Sequence, residues 1–117
     1  MNGLRYVPWF LADWLKGTIH LSAVEKGVYV TLLVLMYLAG GPILDDDREN
    51  ARISRCDIRT YRAARLRLLG LEKIRLVTLP ARGKQSPKCG YLINSRVEKE
   101  LARAQHRRRR PKLRLIS

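Results

Sequence analysis

The spacing of apolar positions changes character along the chain, and each change marks an element. Residues 4–15 carry Tyr6, Trp9, Phe10 and Trp14 with no clear period, and Pro8 argues against a central strand. This stretch predicts an irregular or short extended segment. Its rings should pack on the core, the alternative being base stacking by Trp9 or Trp14. Ser22 followed by Glu25 is a capping-box pattern, with Leu21 just before it. A helix over residues 23–39 follows. Its later turns are apolar nearly all round, so it should be the central, buried helix. Gly40, Gly41 and Pro42 end it.

Asp45, Asp46 and Asp47 open a second helix to about Ile53, their charges favouring the positive end of the helix dipole. Residues 54–57 form a turn. Asp57 caps a third helix over residues 58–69, and Gly70 fits the position after its end. Two short helices joined by a brief turn make a helix-turn-helix pattern. On the third helix Ile58, Tyr61, Ala64, Leu68 and Leu69 share one side. Arg59, Ala63 and Arg67 lie along the other, with Thr60 beside them and Arg62 on a flank. Arg65 falls close to the apolar side and should snorkel outward along its stem, while Leu66 falls near the polar face.

After Gly70 the period becomes that of a strand. Residues 71–79 and 91–93 predict a hairpin, with a long polar tip that carries Arg82, Lys84 and Lys88. Ser95 with Glu98 is a second capping-box pattern, starting a last helix near Arg96. That helix runs into Arg107, Arg108, Arg109 and Arg110, and Pro111 should end it. The residues beyond should be disordered, because a run of like charge repels itself. The expected fold is mostly α with a small β hairpin: an α+β winged helix-turn-helix in residues 1–104, then a basic tail in residues 105–117.

Charge changes this picture more than composition does. The chain is 46% hydrophobic, enough for a core, and carries a formal net charge of +14 over 117 residues. Residues 1–51 hold four basic and six acidic side chains; residues 52–117 hold twenty basic and four acidic. So one-sided a distribution suggests a polyanion-facing region attached to a near-neutral core. Cys56 and Cys89 form no paired motif, and the N-terminus lacks the pattern of a signal peptide. The uncharged run at residues 27–44 is broken by Gly40, Gly41 and Pro42, leaving about 18 Å of helix, too short for a membrane span. A cytoplasmic protein is the expectation.

The residues also resemble a family. Asp13-Trp14-Leu15 with Thr18, Leu21-Ser22 with Glu25, Gly27 and Tyr29, then Leu32-Leu33, Met36-Tyr37, Gly40-Gly41 and Asp45-Asp46-Asp47 are similar, in order, to the YdaU-like proteins of phages and prophages. Asn94-Ser95-Arg96-Val97-Glu98 and Glu100-Leu101 look like that family's closing helix, so the resemblance spans about residues 6–104. It implies a winged-helix-like fold and a place in phage DNA metabolism, often replication initiation, without catalytic residues. The sequence departs from the pattern at Leu44, often proline, at Tyr61, frequently tryptophan, and at Arg55, where glycine is common.

The expected partner is therefore nucleic acid, duplex DNA first. Arg59, Arg62 and Arg67 are candidates for contact from a recognition helix, and Arg55 for a phosphate contact from the turn. Arg82, Lys84 and Lys88 at the hairpin tip and Arg107 to Arg110 in the tail suit phosphates. The plainer reading of each is a solvated cation. The three aspartates are read as helix-capping rather than as Mg²⁺ ligands, because neighbouring side chains diverge. His20, His106 and the cysteines lack zinc spacing, and neither a catalytic triad nor a phosphate loop is recognisable. The expectation is no enzyme, no cofactor and no small-molecule substrate. The competing reading is an interaction adaptor, with Tyr29 and Tyr37 on a homodimer face or a replication protein as partner. RNA binding is a third.

Overall fold

The structure, a computed structural model, describes residues 10–80 and 88–116, and the side chains of 10–79 and 90–106. In chain order the elements are α1 (Leu11–Thr18), α2 (Ala23–Ala39), β1 (Ile43–Leu44), α3 (Asp47–Ser54), α4 (Ile58–Gly70), β2 (Arg75–Pro80), β3 (Lys88–Ile93) and α5 (Ser95–Ile116). The strands form an antiparallel sheet in the order β1-β3-β2. The fold is mostly helical, of the α+β class, and its order from α2 to β3 is that of a winged helix. No helix among the described residues is long and apolar enough to cross a membrane.

Residues 11–15 are helical, against the expected extended segment. The Trp14 N–H donates to the Phe10 carbonyl at 2.9 Å to open α1. Trp14 and Thr18, four residues apart, then turn inward together. The Trp14 ring stacks on Tyr29 of α2, centroids 5.5 Å apart. Tyr6 and Trp9 lie outside the described residues.

The capping box of α2 forms as predicted. Glu25 N–H donates to Ser22 Oγ at 3.1 Å, and Ser22 N–H to Glu25 Oε1 at 2.9 Å. Gly40 closes the helix at φ 79°, a conformation that suits glycine. Val28, Tyr29, Leu32, Leu33, Met36 and Tyr37 are buried on its inner face. Val34 and Leu38 are exposed, so the apolar outer face is not enclosed as expected. Tyr29 and Tyr37, expected on a homodimer face, are instead turned inward, their hydroxyls tied inside. Asn94 donates to the Tyr29 oxygen at 3.2 Å, and Tyr37 donates to Glu100 at 2.6 Å.

The core joins α2 to Tyr61 and Leu68 of α4, Leu92 and Ile93 of β3, and Val97 and Leu101 of α5. The predicted hairpin gains a third strand, as Ile43 pairs with Leu92 and Leu44 with Tyr91. Two residues are too few to show a period of their own.

The helix ends differ from the sequence reading in three places. Gly70 lies within α4, and the left-handed residue beyond it is Glu72, φ 59°. There the Lys73 N–H donates to the Leu68 carbonyl at 2.9 Å. The cap of α5 is Asn94, not Ser95, and its Oδ1 accepts from the N–H groups of Arg96 and Val97. Ser95 and Glu98 instead accept from Arg75. Finally, α5 continues through Pro111 to Ile116 rather than stopping. Proline's fixed φ is compatible with a helix, although its ring removes one hydrogen bond and crowds the carbonyl four residues before it.

Candidate nucleic-acid interface

The outward surface of the helix-turn-helix is set by how α3 ends. Arg55 sits at φ 61°, in the left-handed region where glycine is usual. Its N–H donates to the Arg52 carbonyl, and that of Cys56 to the Ala51 carbonyl at 3.1 Å. These bonds close α3 and aim the chain at Asp57, whose Oδ1 accepts from Thr60 N–H and starts α4. The bond to Thr60 helps hold the Asp57 carboxyl below its usual range. Asn50 anchors the turn from beneath, donating to the Leu44 carbonyl at 3.2 Å and to Tyr61 at 3.3 Å.

The aspartates before α3 divide their work. Asp46 caps the helix, accepting from Glu49 N–H at 3.1 Å. Asp47 accepts from Arg62 Nε at 3.0 Å. Asp45 takes both arms of Arg65, Nε to Oδ1 at 2.8 Å and Nη2 to Oδ2 at 2.6 Å. That pair is largely dry, its side chains 18% and 14% exposed. Arg65 does not snorkel as expected; a carboxylate reaches it first. The Asp45 hydrogen bonds hold its guanidinium pKa above the ordinary value. Asp45 N–H also donates to the Gly90 carbonyl at 3.0 Å, so one residue pins α4 to the sheet.

The four arginines proposed on the turn and helix are therefore not equivalent. Arg55 and Arg59 have no carboxylate within salt-bridge distance among the described residues. Arg62 is paired with Asp47, and Arg67 lies 3.8 Å from Glu25. Such exposed pairs are worth at most about 1 kcal/mol, so a phosphate can compete for either cation. Arg82 and Lys84 lie outside the described residues, as do the side chains of Lys88, Arg107, Arg108, Arg109 and Arg110.

Comparison with known proteins places this geometry in a family. The model of a family described as "Protein of unknown function (DUF1376)" matches residues 5–71. The chain belongs to this DUF1376 family. No curated protein and no solved structure matches it. The DUF1376 stretch runs from before α1 to the residue after α4, so it contains the turn, the capping aspartates and the exposed helix.

Sequence reasoning missed the Arg65–Asp45 pin and the Asn50–Tyr61 bond. A signal for the first existed. An arginine on the apolar side of a helix needs a buried carboxylate, and the Asp45 to Asp47 run was the nearest acidic cluster.

Proposed function

We propose that this protein binds duplex DNA through α4, with the sheet's hairpin and α5 alongside to hold phosphates. The observation that carries the reading is the outer face of α4. It stands clear of the core, is pinned by Asp45, and at its leading end carries Arg55 and Arg59, neither with a carboxylate partner among the described residues. A helix so presented fits the major groove, about 12 Å wide. The residues of its first turns are those that reach base edges in helix-turn-helix proteins. The net charge of +14 supports a polyanionic partner. The resemblance to YdaU-like proteins supports a place in phage or prophage DNA metabolism, in replication initiation or transcriptional regulation. The role is binding rather than catalysis.

A mobility-shift titration across salt concentrations, with random-sequence duplex, tests this. Binding that weakens steeply with salt is expected. Absence of binding at low salt ends the reading.

A second reading, an interaction module, has its own support. Leu11, Leu15 and Ile19 form a stripe along α1 at intervals of four residues, 76%, 59% and 62% exposed. Sedimentation separates the two readings: a tight dimer that ignores added duplex favours the interaction module. Competition by structured RNA tests the RNA alternative.

A further inference from the structure

The exposed face of α4 has an unusual midline. At 100° per residue, Arg59, Ala63, Leu66 and Gly70 fall within about 40° of one line. That line lies opposite the buried Tyr61, Ala64 and Leu68. A face meant only for water would place polar residues there. Instead the midline begins with Arg59, a cation without a carboxylate partner among the described residues, and continues with apolar or small residues, and Leu66 stands 65% exposed. The polar groups are displaced to the flanks: Arg62 on one side, Thr60 and Arg67 on the other.

We propose that α4 reads thymine C5-methyl groups in the major groove through Ala63 and Leu66, while Arg59 contacts a guanine edge or a phosphate. This rests on the duplex-binding reading above and names its substrate class: sites with thymines at successive positions. Apolar side chains recognise thymine because its methyl is the only apolar group on the major-groove edge of the base pairs. The flanking arginines, Arg62 and Arg67, are held only by exposed ion pairs that a phosphate can displace, so they can meet the two phosphate strands, which argues for duplex DNA over a protein as occupant of this face. The spacing fits. Arg59 to Leu66 covers seven residues, about 10 Å along the helix, or about three base-pair steps at 3.4 Å.

The test uses the full chain with three synthetic duplexes: alternating dA-dT, alternating dA-dU, which lacks only the methyl, and alternating dG-dC. Each covered methyl is worth about 0.8 kcal/mol, or about four-fold in affinity. The dA-dT duplex should bind about four-fold tighter than dA-dU for one covered methyl and about fifteen-fold for two. Leu66→Ala should reduce that ratio by about four-fold while leaving the melting temperature nearly unchanged, since the side chain is exposed.

Equal, salt-sensitive binding of all three duplexes overturns methyl reading and leaves DNA binding standing. Failure to bind any of them at low salt overturns both. A dT preference that survives Leu66→Ala overturns the assignment to this face. So does a Leu66→Ala variant that dissociates a dimer without altering duplex binding, because the face is then a protein contact.

Discussion

Asp45→Ala removes both carboxylate oxygens that hold Arg65 and leaves its mostly buried side chain without them. Breaking a fully buried pair from one side costs about 3–5 kcal/mol. Two features lower that figure. The side chains keep 18% and 14% exposure, and Asp47 Oδ1 lies 3.7 Å from Arg65 Nε as a partial substitute. A loss of about 2 kcal/mol follows. In a chain of this size that lowers the melting temperature by roughly 8 °C. The assay is a double-mutant cycle by urea unfolding, with Arg65→Met keeping the length of the stem. Each single variant should lose about 2 kcal/mol, and the double variant far less than the sum, a coupling of about 1.5 kcal/mol. A coupling below about 0.5 kcal/mol would place the pair with ordinary surface ion pairs and refute its role as the pin of α4. Arg65→Met should leave the salt slope of DNA binding unchanged, because its guanidinium faces Asp45 rather than solvent.

Three further outcomes are expected. Arg55→Gly should raise stability by about 1 kcal/mol, read as a higher melting temperature, because φ 61° burdens any residue with a Cβ; a lower value would mean that the arginine side chain outweighs its backbone strain. Burial raises the pKa of Tyr29, Tyr37 and Tyr61 above the usual 10, so the unfolded chain loses these protons first; stability from this source is full below about pH 10 and falls as pH rises further, and Tyr61→Phe should make the alkaline decline of the urea midpoint shallower, an unchanged decline counting against it. Ending the chain after His106 removes Arg107 to Arg110 together with Lys112 and Arg114 and should flatten the salt slope by up to about 5.4, or 0.9 per phosphate neutralised, while leaving the dT-to-dU ratio intact; loss of that ratio would move base reading to the tail.

Local signals carried the fold a long way. Ser22 with Glu25 and Gly40 bounded α2 because capping involves groups three or four residues apart, which a sequence displays directly. The turn at Ser54 to Asp57 was legible for the same reason. Elements governed by distant partners were not. α1 has no side-chain cap, and its inward residue Trp14 finds Tyr29 fifteen positions on. β1 exists only because β3 passes beside it. Asn94 displaces Ser95 as the cap of α5 because its amide nitrogen also bonds Tyr29 and the Lys73 carbonyl. In the candidate interface, the wheel found the cations of α4, but the pairing that ranks them depends on Asp45, Asp47 and Glu25, each at least fifteen residues away.

The distribution of the core also bears on folding autonomy. The stretch shared with the family ends at residue 71, yet Ile74, Leu92, Ile93, Val97 and Leu101 are all buried against it. The hydroxyls of Tyr29 and Tyr37 find their partners 65 and 63 residues downstream. A fragment of residues 5–71 would keep the packing of α2 on α4 but uncover the part of α2 that faces β3 and α5, with both phenols unpartnered. Contacts of such sequence separation form late, since a long loop must close before they return any energy. The family stretch is thus a surface-bearing module rather than a self-sufficient folding unit, and α5 acts as its closing wedge. A relative that shares only that stretch must cover the same face with a C-terminal segment of its own.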